Sequence, residues 1–199
     1  MVDPITGFDW AAHWRRLVRV RSGEEDEWAE RAPGYASRVA ELPDALMPVL
    51  EPYLGPAKTV IDVGAGTGRH VLPLAARVDW VTAVEPSPAM RAQLEAAGSP
   101  PNLTVIGSSW EDAEPAPADL VICSHVLYAV AEPVPFIEKL EALARERVFI
   151  CMRDVDPPQG RRPRFQDLFN LLRQMGVAPA VAYLPTETLP GVAHWRPRS

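Results

Sequence analysis

The stretch VIDVGAGTGRH, residues 60–70, decides the fold of this chain. It opens with a run that is apolar at nearly every position, as in strands that are buried on both faces. Three glycines follow at alternate positions, Gly64, Gly66 and Gly68, and one acid, Asp62, stands just before them. A buried strand that ends in glycines predicts the close approach of another group to the backbone.

The segments around this stretch alternate between short apolar runs and amphipathic ones. This alternation predicts a doubly wound α/β fold with a mostly parallel sheet. Strands are expected at residues 58–63, 80–85, 103–107, 118–124, 147–152 and 177–184, and helices at residues 69–78, 87–98, 133–145 and 165–176. Ser87 and Pro88 suit the N-cap and first position of the second of these helices.

Residues 1–50 show no strand pattern and carry aromatic residues among charged ones. They are expected to form two or three helices outside the sheet, as a lid or extension on a domain of residues 51–199. The opening segment is broken by charged residues and proline before any apolar run reaches about 18 residues, so we expect no signal peptide and no membrane span.

The composition is that of an ordered protein of about one domain. The chain has 199 residues, 47% hydrophobic and 23% charged, which suffices for a full core. A net charge of −6 argues against a general nucleic-acid binder. Cys123 and Cys151 lie in apolar runs, which indicates buried, reduced thiols in a cytoplasmic protein. No Cys and His spacing predicts a metal site.

The glycine spacing discriminates between nucleotide ligands. A dinucleotide fingerprint needs a further glycine where this chain has Arg69 in one frame and Val71 in the other. Asp62 would repel a diphosphate but favours a ligand that carries an ammonium group. Glu85, at the end of the second strand, can accept hydrogen bonds from both hydroxyls of a ribose. S-adenosylmethionine combines such a ribose with a cationic tail and lacks phosphates.

Together with VTAVEPSPAM, residues 81–90, the opening stretch resembles the first two motifs of class I S-adenosylmethionine-dependent methyltransferases. IGSSWEDA, residues 106–113, lies where that family places its adenine contacts, and ADLVICSHVLYAV, residues 118–130, resembles its fourth motif. The resemblance covers about residues 58–152. It implies a Rossmann-like methyltransferase fold, S-adenosylmethionine as cofactor and a small-molecule methyl acceptor.

The resemblance assigns the first cofactor contacts. Gly64 and Gly66 let the backbone approach the methionine part, where a side chain would collide. Asp62 holds the methionine amino group, with a helix N-cap as its alternative role. Glu85 accepts hydrogen bonds from the ribose, and Gly68 allows close helix packing.

The resemblance also implies cofactor contacts from residues outside the first two motifs. Trp110 is a candidate to stack on adenine, with packing in the core as the alternative. The neighbouring Glu111 is a candidate to read the edge of the base. Ser124, at the end of the fourth strand, is expected to line the cofactor pocket, and Tyr35 resembles an aromatic residue that N-terminal segments of such enzymes lay over the cofactor.

The acceptor side is expected at the end of the fourth motif. His125 and Tyr128 are candidates to act as a general base or to orient the acceptor. The family needs a base only when the acceptor loses a proton with a high pKa. Two groups of arginines either dock an acidic substrate or form a solvated face: Arg15, Arg16, Arg19 and Arg21, and Arg161, Arg162 and Arg164.

The C-terminal segment departs from the family pattern. The family's sheet ends in an antiparallel hairpin, but the residues after Pro185 show no strand pattern. Either the last strand is irregular or the hairpin is incomplete. An incomplete sheet would expose an edge and favour a homodimer. It would also favour a cofactor-binding regulatory or scaffold protein with a degenerate catalytic half over an enzyme. A nicotinamide-dependent oxidoreductase is disfavoured by the glycine spacing.

Overall fold

A computed structural model of the chain describes residues 7–18, 28–155, 162–184 and 190–198. The strands in this part are β1 (Thr59–Val63), β2 (Trp80–Val84), β3 (Leu103–Ile106), β4 (Ala118–Ser124), β5 (Ala144–Arg153), β6 (Ala180–Tyr183) and β7 (Pro190–Trp195). The helices are α1 (Trp10–Leu17), α2 (Ala32–Ala40), α3 (Met47–Leu50), α4 (Val71–Ala75), α5 (Pro88–Ala97), α6 (Pro133–Leu143) and α7 (Phe165–Gln174), with short 3₁₀ turns at Glu51–Tyr53 and Leu127–Ala129.

The strands form one sheet in the order β3-β2-β1-β4-β5-β7-β6. Strands β1 to β5 are parallel, and β7 runs antiparallel to both β5 and β6. The predicted doubly wound, mostly parallel sheet is therefore confirmed. Its strand order reverses between β1 and β4, and a doubly wound sheet forms its ligand crevice at the carboxyl ends of the strands at such a reversal.

The expectation of an irregular or incomplete C-terminal hairpin is wrong, because β7 is present and regular. It pairs with β5 from Pro190 opposite Arg153 to Trp195 opposite Val148. Five of its six residues are buried, so the strand lacks the alternation that marks a half-exposed strand. Gly191 obscures the pattern further, but a Cβ there would collide with the ring of Phe165.

Two expectations, a homodimer and a degenerate catalytic half, rested on an incomplete hairpin, and the presence of β7 removes that support. Strand β5 is covered on both sides by β4 and β7, and the sheet ends at β3 and β6 instead. A homodimer stays a prediction without that support. A degenerate catalytic half likewise loses the observation that favoured it.

The N-terminal helices divide between two places on the domain. Helix α1 packs against α6 and α7, where Trp14 is fully buried and its indole N–H donates to the Val130 carbonyl at 2.9 Å. Asp9 caps this helix by accepting from the Ala12 N–H at 3.0 Å. Helix α2 instead packs against α5. The helical extension expected of residues 1–50 is present in the described residues, where α1 forms part of the main core. A lid role of the N-terminal helices stays a prediction.

The helices cover both faces of the sheet and divide the core into two layers. Side chains of α1, α6 and α7 pack on one face, with Ile61 and Val121 from the central strands. Side chains of α3, α4 and α5 pack on the other, with Val60 and Leu120. Cys123 and Cys151 are buried free thiols, as predicted.

Lys139 of α6 anchors the loop that follows β3. Its ammonium group donates to the carbonyls of Trp110 at 2.7 Å, Glu111 at 2.9 Å and Ala113 at 2.7 Å, and it lies 5.0 Å from the centroid of the Trp110 ring. Lys139 and Lys58 are the two lysines of the chain, and the remaining residues of its Lys and Arg total are arginines. Three donors on one tetrahedral nitrogen match three converging carbonyls, which a planar guanidinium matches poorly.

We expect Lys139→Met to lower the free energy of unfolding by about 2 kcal/mol or more, since it removes three charge-assisted hydrogen bonds and a cation–π contact. Lys58→Met is the matched control. Lys58 pairs with Glu146 in a half-exposed salt bridge, so its loss should cost less than about 1 kcal/mol. Urea unfolding of both variants measures the two losses, and equal losses would contradict an anchoring role of Lys139.

Candidate active site

The glycines after β1 form a tight turn in left-handed backbone conformations. Gly64, Gly66 and Gly68 have φ values of 72°, 57° and 85°, which favour glycine. A Cβ on Gly64 would collide with Val126, and one on Gly68 would collide with Leu94 of α5. The expectation that Gly68 permits close helix packing agrees with this contact.

Gly66 differs from its neighbours because its surroundings are open. The atom nearest to an added Cβ there is the Gly64 carbonyl oxygen at 3.9 Å. The turn is also tied to the second strand, since the N–H groups of Gly64 and Ala65 donate to the Val84 carbonyl at 2.8 and 3.1 Å. The backbone at Gly66 is thus held in place with free space beside it.

Glu85 lies directly after β2 and is buried against the turn. One carboxylate oxygen accepts from the Gly66 N–H at 2.8 Å, and the other accepts from the Ser87 N–H at 2.9 Å. Ser87 in turn caps α5 by accepting from the Met90 N–H at 3.1 Å, as predicted. The structure therefore brings Glu85 and Gly66 together, although they lie on different loops.

Asp62 carries an unsatisfied polar atom in the interior. Its side chain is 1% exposed, and its Oδ2 has no hydrogen-bond partner among the described residues. Burial raises the pKa of Asp62 to about 6, against the influence of His70 and with added repulsion from Glu85 and Asp44. Helix α4 has His70 at its N-cap, so the N-cap alternative for Asp62 does not apply. A buried acceptor without a protein donor is a position that a ligand or a bound water can satisfy.

Asp44, which the sequence did not single out, ties the N-terminal segment to the turn. One oxygen accepts from the backbone N–H groups of Leu46 and Met47, and the other lies 3.3 Å from His70 Nε2 and 3.5 Å from Arg69 Nε. Burial acts to raise the pKa of Asp44, but the hydrogen bond and charge of His70 hold this pKa well below its usual value. Its place before a helix was visible in the sequence, whereas its contacts with residues 69 and 70 are long-range.

His125 and Tyr128 form a hydrogen-bonded pair at the end of β4. His125 Nδ1 lies 2.9 Å from the Tyr128 hydroxyl, which also accepts from the Arg153 N–H at 2.7 Å. His125 has φ 61°, a left-handed conformation that is uncommon for a side-chain-bearing residue, and its N–H donates to the Cys151 carbonyl at 2.9 Å. Strain of this kind occurs often at functional sites.

Burial determines the protonation of this pair. Burial lowers the pKa of His125 to about 4, and the charge of Arg153 acts in the same direction. Burial also raises the pKa of Tyr128 above its ordinary value. At neutral pH both side chains are therefore uncharged, and they can donate or accept hydrogen bonds but take up protons poorly.

Three further residues border this pair. Cys151 Sγ lies 4.0 Å from His125 Nε2 and has a side-chain hydrogen bond to Ser124. Burial raises the pKa of Cys151 to about 12, so its thiol is protonated at neutral pH. Tyr35 of α2 packs edge-on against Trp28, with ring centroids 5.0 Å apart, and lies near enough to Tyr128 to influence the pKa of that residue.

The two adenine candidates occupy different environments. Trp110 is 4% exposed, lies in the main core against Phe136 and donates to the Phe136 carbonyl at 3.3 Å. This position agrees with the core-packing alternative left open by the sequence. Glu111 is exposed, and its backbone carbonyl is held by Lys139.

The described arginines of the two groups named from the sequence lie on the surface or at the start of a helix. Arg15 pairs with Glu132 on the surface at 3.0 Å, and Arg16 is exposed. Arg162 is exposed and Arg164 helps to cap α7, while Arg19, Arg21 and Arg161 lie outside the described residues.

The described residues offer neither a metal site nor a membrane-spanning helix. No group of three or more His, Cys, Asp or Glu side chains there could hold a metal ion. No helix in this part of the chain is long and apolar enough to cross a membrane.

The geometry fits S-adenosylmethionine at the carboxyl ends of β1, β2 and β4. The unsatisfied Asp62 oxygen suits an ammonium group, the open space at Gly66 admits a ligand next to the backbone, and Glu85 offers a carboxylate beside it. The residues present therefore suit the cofactor that the sequence predicts.

Comparisons with known proteins agree with this geometry. A magnesium protoporphyrin IX methyltransferase (ChlM) from Synechocystis PCC 6803, crystallised with SAH, matches with 20% identity, a TM-score of 0.60 and coverage of 92% of this chain and 91% of that one. The DhpI–SAH complex matches with 18% identity, a TM-score of 0.61 and coverage of 94% and 95%. A methyltransferase in complex with the Trm112 activator of Haloferax volcanii matches with 16% identity, a TM-score of 0.63 and coverage of 88% and 98%. These structures share the fold.

A search of curated protein sequences finds no significant match. A family model described as "Methyltransferase domain" does match, over residues 35–189, which include the glycine turn, Glu85 and β1 to β6 and end just before β7. The chain therefore belongs to the methyltransferase domain family, whose cofactor is S-adenosylmethionine.

Proposed function

We propose that this chain transfers a methyl group from S-adenosylmethionine to a small-molecule acceptor. The observation that carries the proposal is the buried Asp62 carboxylate, whose Oδ2 has no donor in the described part of the chain and which lies beside the glycine turn. A cationic ligand satisfies this oxygen and lowers the cost of its charge. A diphosphate would instead be repelled by this carboxylate.

S-adenosylmethionine, when bound, supplies a methyl group that its positively charged sulfur already activates. Asp62 would hold the ammonium group, the backbone at Gly66 would pass close to the methionine part, and Glu85 would accept hydrogen bonds from the ribose. Glu111 and the loop anchored by Lys139 would border the adenine, with Trp110 supporting that loop from the core. Ser124 and Tyr35 would complete the walls of the pocket.

His125 and Tyr128 would orient the acceptor. Both are uncharged at neutral pH, and the Tyr128 hydroxyl is held by the Arg153 N–H. A methyl transfer depends chiefly on alignment of the acceptor with the methyl group and the departing sulfur. A histidine with a pKa of about 4 is a weak base at pH 7, which favours acceptors that ionise readily or that lose their proton after transfer.

The acceptor is proposed to be a small molecule, and neither a nucleic acid nor a membrane is proposed as a partner. The net charge of −6 does not favour a nucleic-acid partner, and the sequence lacks the Asn-Pro-Pro-aromatic stretch of enzymes that methylate amino groups of DNA bases. The names of the structural relatives point to different acceptors, since one is a magnesium protoporphyrin IX methyltransferase and another was crystallised as a DhpI–SAM–HEP complex. A cytoplasmic location is proposed from the free thiols.

Isothermal titration with S-adenosylmethionine, S-adenosylhomocysteine and NAD tests the proposal. We expect saturable binding of the first two and none of NAD. A panel of acids, phenols, amines and thiols, with S-adenosylhomocysteine release as the readout, then tests transfer. Binding of NAD alone would overturn the cofactor assignment, and cofactor binding without transfer to any acceptor would favour a regulatory or scaffold role.

Glu85→Ala is expected to raise the dissociation constant for S-adenosylhomocysteine at least about tenfold, because two hydrogen bonds between a carboxylate and the ribose are lost. Glu95→Ala, an exposed acid on α5, is the control and should leave the constant unchanged. Thermal melting of both variants reports whether the fold is retained. An unchanged dissociation constant in a folded Glu85→Ala variant would remove the ribose assignment.

Asp62→Asn is expected to stabilise the ligand-free protein and weaken cofactor binding. The pKa of Asp62 is raised from 3.8 to about 6, so the wild type loses stability as the pH rises from about 4 to about 6, on the order of 1.4 kcal/mol per pKa unit. The increase in the free energy of unfolding of Asp62→Asn over the wild type should therefore reach its full size above pH 6 and disappear below pH 4. Urea unfolding across this range measures it, with the exposed Asp79→Asn as control.

Binding of an ammonium group should also release a proton from Asp62 near pH 6, because it favours the ionised carboxylate. Titration of S-adenosylhomocysteine in buffers of different ionisation enthalpy measures this release. It should vanish in Asp62→Asn. Proton release of the same size in both proteins would contradict the assignment of Asp62 to the ammonium group.

His125 is expected to remain neutral throughout the physiological pH range. Its C2–H resonance in a ¹H–¹³C spectrum should show a midpoint near pH 4, and His125→Gln identifies the resonance. A midpoint between pH 6 and 7 for His125 would favour a general base instead.

A further inference from the structure

An open cavity of about 340 Å³ lies at the end of the sheet opposite to the candidate active site. It is bordered by the start of β5, the end of β7 and the connection between α7 and β6. Arg147 lines the cavity, whereas Arg153 at the other end of the same strand lies beside Tyr128. The two positions are six residue steps apart along an extended strand, a distance of about 20 Å. The cavity is therefore separate from the cofactor crevice.

Three of the nine lining residues are arginines, Arg147, Arg196 and Arg198, and His194 lies among them. Arg198 is neutralised, since its Nε donates to Glu141 at 3.0 and 3.1 Å and Nη1 donates to the Met175 carbonyl. Glu141 is largely committed to this role, because it also accepts from the Trp195 indole at 2.8 Å.

Arg147 has no carboxylate partner among the described residues. Its guanidinium carbon lies 4.5 Å from the centroid of the Tyr53 ring, and Nη1 lies 3.1 Å from His194 Nδ1. Arginine has no acceptor, so this His194 nitrogen accepts the bond and the imidazole is neutral. Burial and the charge of Arg147 lower the pKa of His194, in agreement with this state. Both contacts position the guanidinium, and neither offsets its charge with a carboxylate.

Arg196 is exposed and has no hydrogen-bond or ion-pair partner in the described ranges. Three other cations at this end of the sheet are paired with acids: Lys58 with Glu146, Arg77 with Glu51, and Arg145 with Asp119 at 3.9 Å. Arg147 and Arg196 thus leave two uncompensated positive charges at one cavity, in a chain whose net charge is −6.

We propose that this cavity is an anion site that binds a dianionic phosphate group, as in a phosphomonoester. Two guanidinium groups match the charge of a dianion, and their planar donor sets suit the oxygens of a phosphate. Tyr53 and His194 hold Arg147 ready for such a ligand. The proposal goes beyond the methyl transfer proposed above and does not depend on it.

The test uses inorganic phosphate and dimethyl phosphate as probes. Titration calorimetry at pH 7.5, with chloride holding the ionic strength constant, measures binding to the full chain and to Arg196→Gln, Arg196→Lys and Arg147→Gln. Arg145→Gln is the matched control, because it removes a neighbouring exposed charge that Asp119 already offsets. S-adenosylhomocysteine is titrated into every variant to report the state of the cofactor crevice.

We expect saturable binding of inorganic phosphate, weakened about tenfold or more by Arg196→Gln and by Arg147→Gln, since each removes charge-assisted hydrogen bonds. Arg196→Lys should retain part of the affinity, Arg145→Gln should change it less than about twofold, and dimethyl phosphate, a monoanion, should bind more weakly. Affinity for S-adenosylhomocysteine should stay unchanged in Arg196→Gln.

Three results would overturn the anion site. The first is no saturable phosphate binding to the full chain. The second is an equal loss of phosphate affinity in Arg145→Gln and Arg196→Gln, which would indicate general attraction to positive charge. The third is equal affinity for dimethyl phosphate and inorganic phosphate. This result would show that the cavity does not select a dianion, the charge state that distinguishes a phosphomonoester from a phosphodiester.

Discussion

The unsatisfied carboxylate of Asp62 is the interaction on which the rest of the site depends. An acid without a donor is costly in the interior of a protein, and this one lies on a central strand, with two other acids close enough to raise its pKa. The glycine turn, which would otherwise be an ordinary strand-to-helix connection, leaves open space beside Gly66 in the same neighbourhood. A cationic ligand that enters this space removes the penalty. The buried charge of Asp62 thus destabilises the free protein and favours the binding of a cationic ligand over a neutral or anionic one.

The sequence predicted the parts of the fold that depend on local spacing. The parallel strands, the Ser87 cap and the combination of Asp62, glycines and Glu85 all follow from residues close to each other in the chain. Strand β7 was missed, because its burial on both faces and its Pro-Gly start hide it, and only pairing with β5 shows that it is a strand. Asp44 and Lys139 were missed for a similar reason, since each acts on a loop at least 25 residues away in sequence.

The acceptor side shows why residue types alone could not assign a chemistry. His125 and Tyr128 suggested acid–base catalysis, but the fold buries both, holds the His125 backbone in a left-handed conformation and places Arg153 where its charge lowers the pKa of His125 further. These conditions favour the neutral imidazole. The pair is therefore suited to fixing an acceptor by hydrogen bonds, and its rigidity comes from the Arg153 N–H and the Cys151 carbonyl on β5.

The net charge of the chain conceals how its charges are separated along the sheet. Asp44, Asp62 and Glu85 meet around the glycine turn at the carboxyl ends of the strands, whereas Arg147 and Arg196 share a cavity at the opposite end. Asp44 is paired with Arg69 and His70. Backbone N–H groups hold Glu85, and an aromatic ring with a neutral imidazole holds Arg147. A fold that retains like charges in this way gains stability when a ligand of opposite charge binds. The acidic end accordingly suits a cation, and the basic end suits an anion.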